Sequence, residues 1–317
     1  RRPVAWGGGG YVGGAVVEAL LSVAPRHLVR IVDSLLYETQ YLKPVPFRRG
    51  DVRDEEFMRH HLEWADVVVW LAALVGDGAC AIDPELAATV NHHSVSWLEE
   101  NFRGRIIFPS TCSVYGAQDA MLDEHAPVHP LSVYGQTKLA AEQALFDSNA
   151  LILRLGTLYG IGDTYSRFRT DLVVNTLSVR AAMGEPITIH GGEQWRPLLH
   201  VKDVADVIAA QVSGDAIGIY NLVYQNVQIK ELVPMLQDRF PDLKVNYTEQ
   251  PVQDQRNYRV SALKARQDLN FSPWRTIEHG ITQVVRMVLD GRLPDPWHPR
   301  FSNERHLKGD AKRLMLD

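Results

Sequence analysis

With only two cysteines, Cys80 and Cys112, the 317-residue chain has no disulfide framework to hold it together. A reducing compartment, the cytoplasm, is the expected home, with both thiols simply packed. Long apolar runs are missing as well. The longest, Val67 to Gly76, is bounded by Asp66 and Asp77 and falls short of the roughly 20 residues a spanning helix needs. It reads as a buried strand, and no membrane partner is expected. There is no excess of positive charge, because 38 acidic residues face 33 basic ones and the formal net charge is -5. That leaves no electrostatic footprint for nucleic acid, so any phosphate has to be met locally. Pro3 to Trp6 alone separate Arg1-Arg2 from a run of glycines, too little for a signal segment. Lacking an initiator methionine, the numbered chain is expected to start just inside the natural one. Metal-ligand spacing is absent too. His60-His61 and His92-His93 are adjacent pairs pointing about 100° apart on a helix, and His125 and His129 flank Pro127 without cysteines nearby, so no metal is expected.

What is present is an ordinary globular composition, 45% hydrophobic and 22% charged. At roughly 150 residues per domain, that length implies about two domains. In the first half, short apolar runs alternate with helical patterns. Strands are expected at Val4 to Trp6, Leu28 to Val32, Val67 to Leu71, Arg105 to Phe108 and Leu151 to Leu155. Helices are expected from Tyr11 to near Pro25, Asp54 to Trp64, Pro84 to Asn101 and Tyr134 to Phe146. Such alternation implies right-handed crossovers and a doubly wound parallel α/β sheet. The second half is looser: a loop over Tyr159 to Arg169, helices at Leu172 to Met183, Asp203 to Val212, Lys230 to Asp238 and Ile277 to Leu289, and a strand at Pro186 to His190. The expected division is a dinucleotide-binding domain over 1–160, with part of 196–225 returning to it, and a smaller, mostly C-terminal substrate-binding cap over 161–317.

The sharpest local signal is Gly7-x-x-Gly10-x-x-Gly13 between the first strand and the first helix. Glycine serves where backbone turns with positive φ or must approach a pyrophosphate, and the helix start then offers N–H groups and the positive end of its dipole. Asp33 closes the second strand, with Ser34 beside it. A carboxylate there accepts from both ribose hydroxyls and repels a 2′-phosphate, and no cation follows until Lys43, so NAD is expected rather than NADP. The bland alternative is that Asp33 caps a turn.

Tyr134 and Lys138 stand four apart, so both leave one face of their helix. A phenol titrates near 10, but a neighbouring ammonium and a nicotinium ring both favour the phenolate and make it usable as a base.

A family resemblance enters on these motifs. Trp6-Gly7-Gly8-Gly9-Gly10-Tyr11-Val12-Gly13 looks like the nucleotide loop of the extended short-chain dehydrogenase/reductases, the nucleotide-sugar epimerases and dehydratases, which have the Rossmann type of doubly wound sheet. Trp6 departs from it, standing where the family usually has a small polar residue. Asp51-Val52-Arg53-Asp54 resembles the family's adenine-contacting turn, and Leu71-Ala72-Ala73 its strand end beside the cofactor. Phe108 to Gly116 and Tyr134-Gly135-Gln136-Thr137-Lys138 resemble its catalytic segments, and Arg154 to Gly160, Arg196-Pro197 and His200-Val201-x-Asp203 its later landmarks.

The resemblance implies Thr111 as the catalytic partner of Tyr134 and Lys138, with Ser110 and Ser113 as rivals and Ser113 also a substrate contact. It implies Arg196, Arg256 and Asn175 as substrate-binding residues, the arginines because a guanidinium suits paired phosphate oxygens. Thr157 stands where related epimerases often have asparagine. Dehydratases carry an acidic pair directly after the threonine, and Cys112 and Ser113 occupy those positions here. The expectation is therefore an NAD-dependent nucleotide-sugar epimerase, acting at C4 through a 4-keto intermediate. A 4-ketoreductase is the alternative and a non-catalytic dinucleotide sensor a remote one. A homodimer is implied by the resemblance alone.

Overall fold

A computed structural model describes residues 1–23, 28–38, 40–163, 167–249 and 256–314, with side chains through residue 309. Seven strands form one sheet in the spatial order Phe47–Arg49, Arg30–Asp33, Pro3–Trp6, Val67–Trp70, Arg105–Thr111, Ala150–Leu155, Gly218–Leu222. Every pairing in it is parallel. The chain winds outward from Pro3–Trp6 in both directions, which is the Rossmann arrangement expected from the alternating pattern.

Side chains alternate across the sheet because a strand repeats every two residues. Ala5, Val67, Val69 and Ile107 therefore face the helices Tyr11–Val23 and Val201–Gln211. Val4, Trp6, Val68, Trp70, Ile106 and Phe108 face Glu55–Leu62, Ser94–Asn101 and Val133–Ala144. Trp6 is fully buried, its ring 5.7 Å from that of Trp70 on the neighbouring strand. The residue departing from the family pattern thus fills the core.

A second, smaller group of elements packs beside the carboxyl ends of the strands. Three strands, Thr157–Tyr159, Trp195–His200 and Gln225–Gln228, form one sheet. Its core joins Tyr159 and Leu198 to Val174 and Leu177 of the helix Val173–Ala182, and to Ile281 and Val285 of Ile277–Leu289. The helix Asn303–Leu314 ends the described chain.

Several boundaries differ from expectation. The helix expected over Pro84 to Asn101 is broken into Pro84–Ala88, a π-helical turn Thr89–His93 and Ser94–Asn101. Of the apolar run 67–76 only Val67–Trp70 is strand, and Asp77–Ile82 begins an unexpected short helix. The strand at Arg105 runs on to Thr111, carrying two hydroxyl residues to its end. The helix expected from Asp203 starts at Val201, because His200 caps it by accepting the Lys202 N–H. The expected helix end near Pro25 lies outside the described residues.

Candidate active site

The glycine loop is shaped by close backbone approach. Gly7 has φ +81°, and a Cβ there would lie 2.5 Å from the Ala72 nitrogen; one at Gly13 would lie 2.5 Å from the Gly7 carbonyl oxygen. At Gly10 the nearest neighbour of such a Cβ among the described residues is that same oxygen, at 3.5 Å, an ordinary contact. The Asp33 carboxylate takes the Gly9 N–H on Oδ2 at 2.8 Å and the Leu35 N–H on Oδ1 at 2.7 Å. It therefore caps the turn and stands at the cleft together, because each carboxylate oxygen keeps a second acceptor site. Burial raises its pKa, opposed by those two backbone bonds. A tight glycine loop backed by a carboxylate at the second strand's end is a donor and acceptor set that fits NAD.

Tyr134 and Lys138 sit on Val133–Ala144, which starts at Ser132. The Ser132 hydroxyl accepts the Gly135 N–H and donates to Asp77 Oδ1 at 2.7 Å. Lys138 is 3% exposed, with Nζ 3.9 Å from the centroid of the Phe108 ring. Burial lowers its pKa to about 7, against the opposing influence of Glu142 and Cys80. Burial likewise raises the half-buried Tyr134 phenol, helped by Cys80 and Asp77 and opposed by Arg169 and Arg256.

The hydroxyls at the strand end divide by role. Ser110 donates to Glu142 Oε1 at 2.5 Å, inside a buried pair in which Arg154 Nη2 lies 2.6 Å from Glu142 Oε2. Its proton is taken by the scaffold. Thr111 donates to Ser113 Oγ at 3.0 Å, and Arg256 donates to the same oxygen at 2.7 Å. Arg256 also stands 3.6 Å from Asp77 Oδ2, while Arg196 donates to the Arg256 carbonyl and, at 2.9 Å, to the Trp195 carbonyl. Cys112 is 1% exposed and donates to the Arg154 carbonyl at 3.4 Å.

The loop, the strand-end hydroxyls, Tyr134 and Lys138 line one cleft of about 2250 Å³. On its cofactor side it collects Gly7, Gly10, Tyr11, Val12, Gly13, Asp33, Ser34, Asp51, Val52, Leu71, Ala72 and Ala73. It also includes Ser110, Thr111, Ser113, Tyr134, Lys138, Thr157, Arg196 and Arg256. One expected contact is changed by the geometry. Asn175 does not line the cleft: it is fully buried, accepting the Gly160 N–H at 2.9 Å and donating to the Arg169 carbonyl at 3.0 Å, so its amide braces the backbone. Asp51 lines it, yet both its oxygens hold Arg53.

Four features of the site lie outside what the sequence predicts. Asn91, inside the π-helical turn, accepts the Leu74 N–H at 2.8 Å and donates to Thr137 Oγ1 at 3.1 Å, tying a strand-end loop to the helix of Tyr134. Nothing in its local sequence marks it. Asp77 was seen only as the end of an apolar run. Arg167 and Arg169 were visible as charge in a loop, and the C-terminal His298 to Gly309 gave no signal, yet both segments line the cleft. Among the described residues no group of three or more His, Cys, Asp or Glu could hold a metal, and no helix is long and apolar enough to cross a membrane.

A sequence model of the NAD dependent epimerase/dehydratase family matches residues 5–222. A UDP-glucose 4-epimerase of Streptomyces lividans is 27% identical, covering 63% of this chain and 68% of its own length. A dTDP-glucose 4,6-dehydratase of Streptomyces niveus is 24% identical, covering 98% of this chain and 100% of its own. The structure of a UDP-glucose 4-epimerase from Thermotoga maritima with UDP-glucose superimposes with a TM-score of 0.81 at 23% identity, covering 92% of this chain and 99% of that one. The relatives include both epimerases and dehydratases.

Proposed function

The chain belongs to the NAD-dependent epimerase/dehydratase family, and we propose that it is an epimerase of a nucleotide-activated sugar, acting at C4 through a transient 4-keto sugar. The observation carrying this reading is that Thr111, Tyr134 and Lys138 share one cleft with the glycine loop and Asp33, while no carboxylate follows Thr111. Dehydration needs an acid for the leaving hydroxyl and a base for the carbon-bound proton. Cys112 is turned into the protein and Ser113 is an alcohol, which argues against that branch.

NAD, the family's cofactor, supplies the acceptor and donor of the hydride when bound, and its positive ring adds to Lys138 in drawing Tyr134 toward the phenolate. Tyr134 takes the proton of the sugar hydroxyl and gives it back, and Thr111 hydrogen-bonds the same oxygen. Lys138 holds the cofactor's ribose and supports the Tyr134 anion. Arg196 and Arg256 meet the substrate diphosphate, and 161–317, apart from the part of 196–225 that returns to the main sheet, is mainly the cap that brings the sugar nucleotide to the cleft. A homodimer in the cytoplasm completes the proposal. On the family resemblance, its contact is the helix Val133–Ala144, which carries Lys138, and its partner helix.

Incubation with UDP-, dTDP-, GDP- or CDP-sugars and catalytic NAD should interconvert epimers without net change at the NADH band. Stoichiometric cofactor consumption would instead establish the 4-ketoreductase, which uses the same residues in one direction. Tyr134→Phe should lower turnover by at least about 100-fold while leaving the melting temperature unchanged. Turnover that survives the change would remove Tyr134 from the role of base. If no sugar nucleotide turns over in the wild type, the sensor reading stands.

A further inference from the structure

Arg169 lines the cleft with its side chain 12% exposed. Its Nε donates to Asp171 Oδ1 at 2.8 Å, and neither terminal nitrogen has a hydrogen-bond partner in the protein among the described residues. The other oxygen of Asp171, Oδ2, accepts the Asn303 N–H at 2.8 Å. The segment around them is pinned to the end of the chain. The Thr170 N–H donates to the Phe301 carbonyl at 2.9 Å, Arg167 Nη2 to Asn303 Oδ1 at 2.6 Å, and Asn303 Nδ2 to the Val75 carbonyl at 2.7 Å. The guanidinium is thus fixed through one nitrogen while the fork of two others stays unspent, the state in which an arginine is ready to take paired oxygens. Its charge acts on the phenols of Tyr11 beside the glycine loop, Tyr37 beyond the second strand and Tyr134 at the catalytic helix, so it stands among three walls of the cleft.

We propose that Arg169 is an anion-binding residue of the cleft that presents its terminal nitrogens to a diphosphate. Two ligands of the proposed enzyme carry that group, the dinucleotide and the sugar nucleotide. Of the other cations lining the same space, Arg196 and Arg256 donate to protein oxygens, as does Arg167. Asp33 and Asp77 are carboxylates of the same cleft, and a diphosphate bound near either needs a compensating cation. The proposal rests on the reading of the cleft as a site for these two ligands and is independent of which reaction follows.

The test is equilibrium binding without turnover, using ADP-ribose for the dinucleotide arm and UDP or dTDP for the sugar-nucleotide arm. Arg169→Gln should weaken at least one arm about tenfold, the loss expected for a charge-assisted hydrogen bond. The arm that weakens identifies the source. Asp171→Asn breaks the same ion pair but keeps the cation, and should stay within about threefold of wild type. Equal losses in the two variants would mean that the pair only holds the segment in place and would overturn the proposal, as would a change below twofold in both arms. Thermal melts accompany each titration. Should Arg169→Gln melt early, Arg169→Lys, which keeps charge and length but loses the fork, takes its place and should weaken the same arm. Because no turnover is read, failure here leaves the epimerase assay untouched, and failure of that assay leaves this binding result standing.

Discussion

Lys138 carries the clearest consequence at the scale of a single residue. An ammonium 3% exposed beside the Phe108 ring gives up most of its hydration, and burial brings its pKa to about 7 from an ordinary 10.5. The sign follows directly. Between pH 7 and 10.5 the unfolded chain binds a proton here that the folded chain does not, so folding is penalised at low pH and the penalty fades as pH rises through that window. Lys138→Met removes the penalty altogether. The variant should melt above the wild type at pH 6 and the gap should shrink steadily toward pH 10; a constant gap would mean that the ammonium is not the cause. Tyr134 and Lys138 could be singled out in the sequence because helical spacing puts them on one face. Ser110 and Thr111 could not be separated that way. Only the buried Glu142–Arg154 pair, 12 residues apart in the chain, takes the Ser110 proton and leaves Thr111 with Ser113.

Among the elements, the glycine loop shows how one residue type serves two purposes. Gly7 has φ +81° and backbone at 2.5 Å from an added Cβ, so Gly7→Ala should destabilise the fold by roughly 1–3 kcal/mol. At Gly10 the nearest neighbour of a Cβ is at 3.5 Å, ordinary contact. Gly10→Ala should keep the wild-type melting temperature and still weaken NAD binding, because its methyl occupies the face that phosphate must approach. Denaturation and NAD titration on the two variants separate these outcomes, and a stable Gly7→Ala would contradict the steric argument. The loop's spacing was legible in the sequence, whereas the different duties of its glycines depend on Ala72, on another strand's end. The broken helix over 84–101 is similar. Its apolar pattern continues, and the π-helical turn exists to aim Asn91 at Leu74 and Thr137.

For the whole molecule, two imidazoles link pH to stability. His200 is fully buried, with Nδ1 accepting the Lys202 N–H at 3.1 Å and Nε2 2.8 Å from Gln283 Oε1, which joins the start of one helix to Ile277–Leu289. His61 is 3% exposed behind Trp6 and Phe57, with Nδ1 3.1 Å from Arg30. Burial lowers both to about 4, aided by Arg30 at His61 and resisted by Gln283 at His200. The unfolded chain therefore binds more protons between pH 6.5 and 4, and stability falls as pH falls through that window. Urea unfolding across it should show stability falling with pH, and His200→Gln should flatten the slope by up to about one proton, near 1.4 kcal/mol per pH unit. A slope unchanged in the variant would place the acid sensitivity elsewhere.

The sequence by itself determined the alternation of strands and helices, the glycine loop with Asp33, and the Tyr134–Lys138 pair. All of these are local: a period of two or 3.6 residues, or a spacing within one turn, is written in consecutive side chains. Tertiary structure alone decided which partner each strand-end hydroxyl takes, that Asn175 braces backbone, that Asp77 joins Ser132 to Arg256, and that Asn303 holds the segment of Arg169. Those outcomes come from residues far apart in the chain competing for the same hydrogen bonds, and which partner wins depends on how the sheet, the cap elements and the C-terminal helix are packed together.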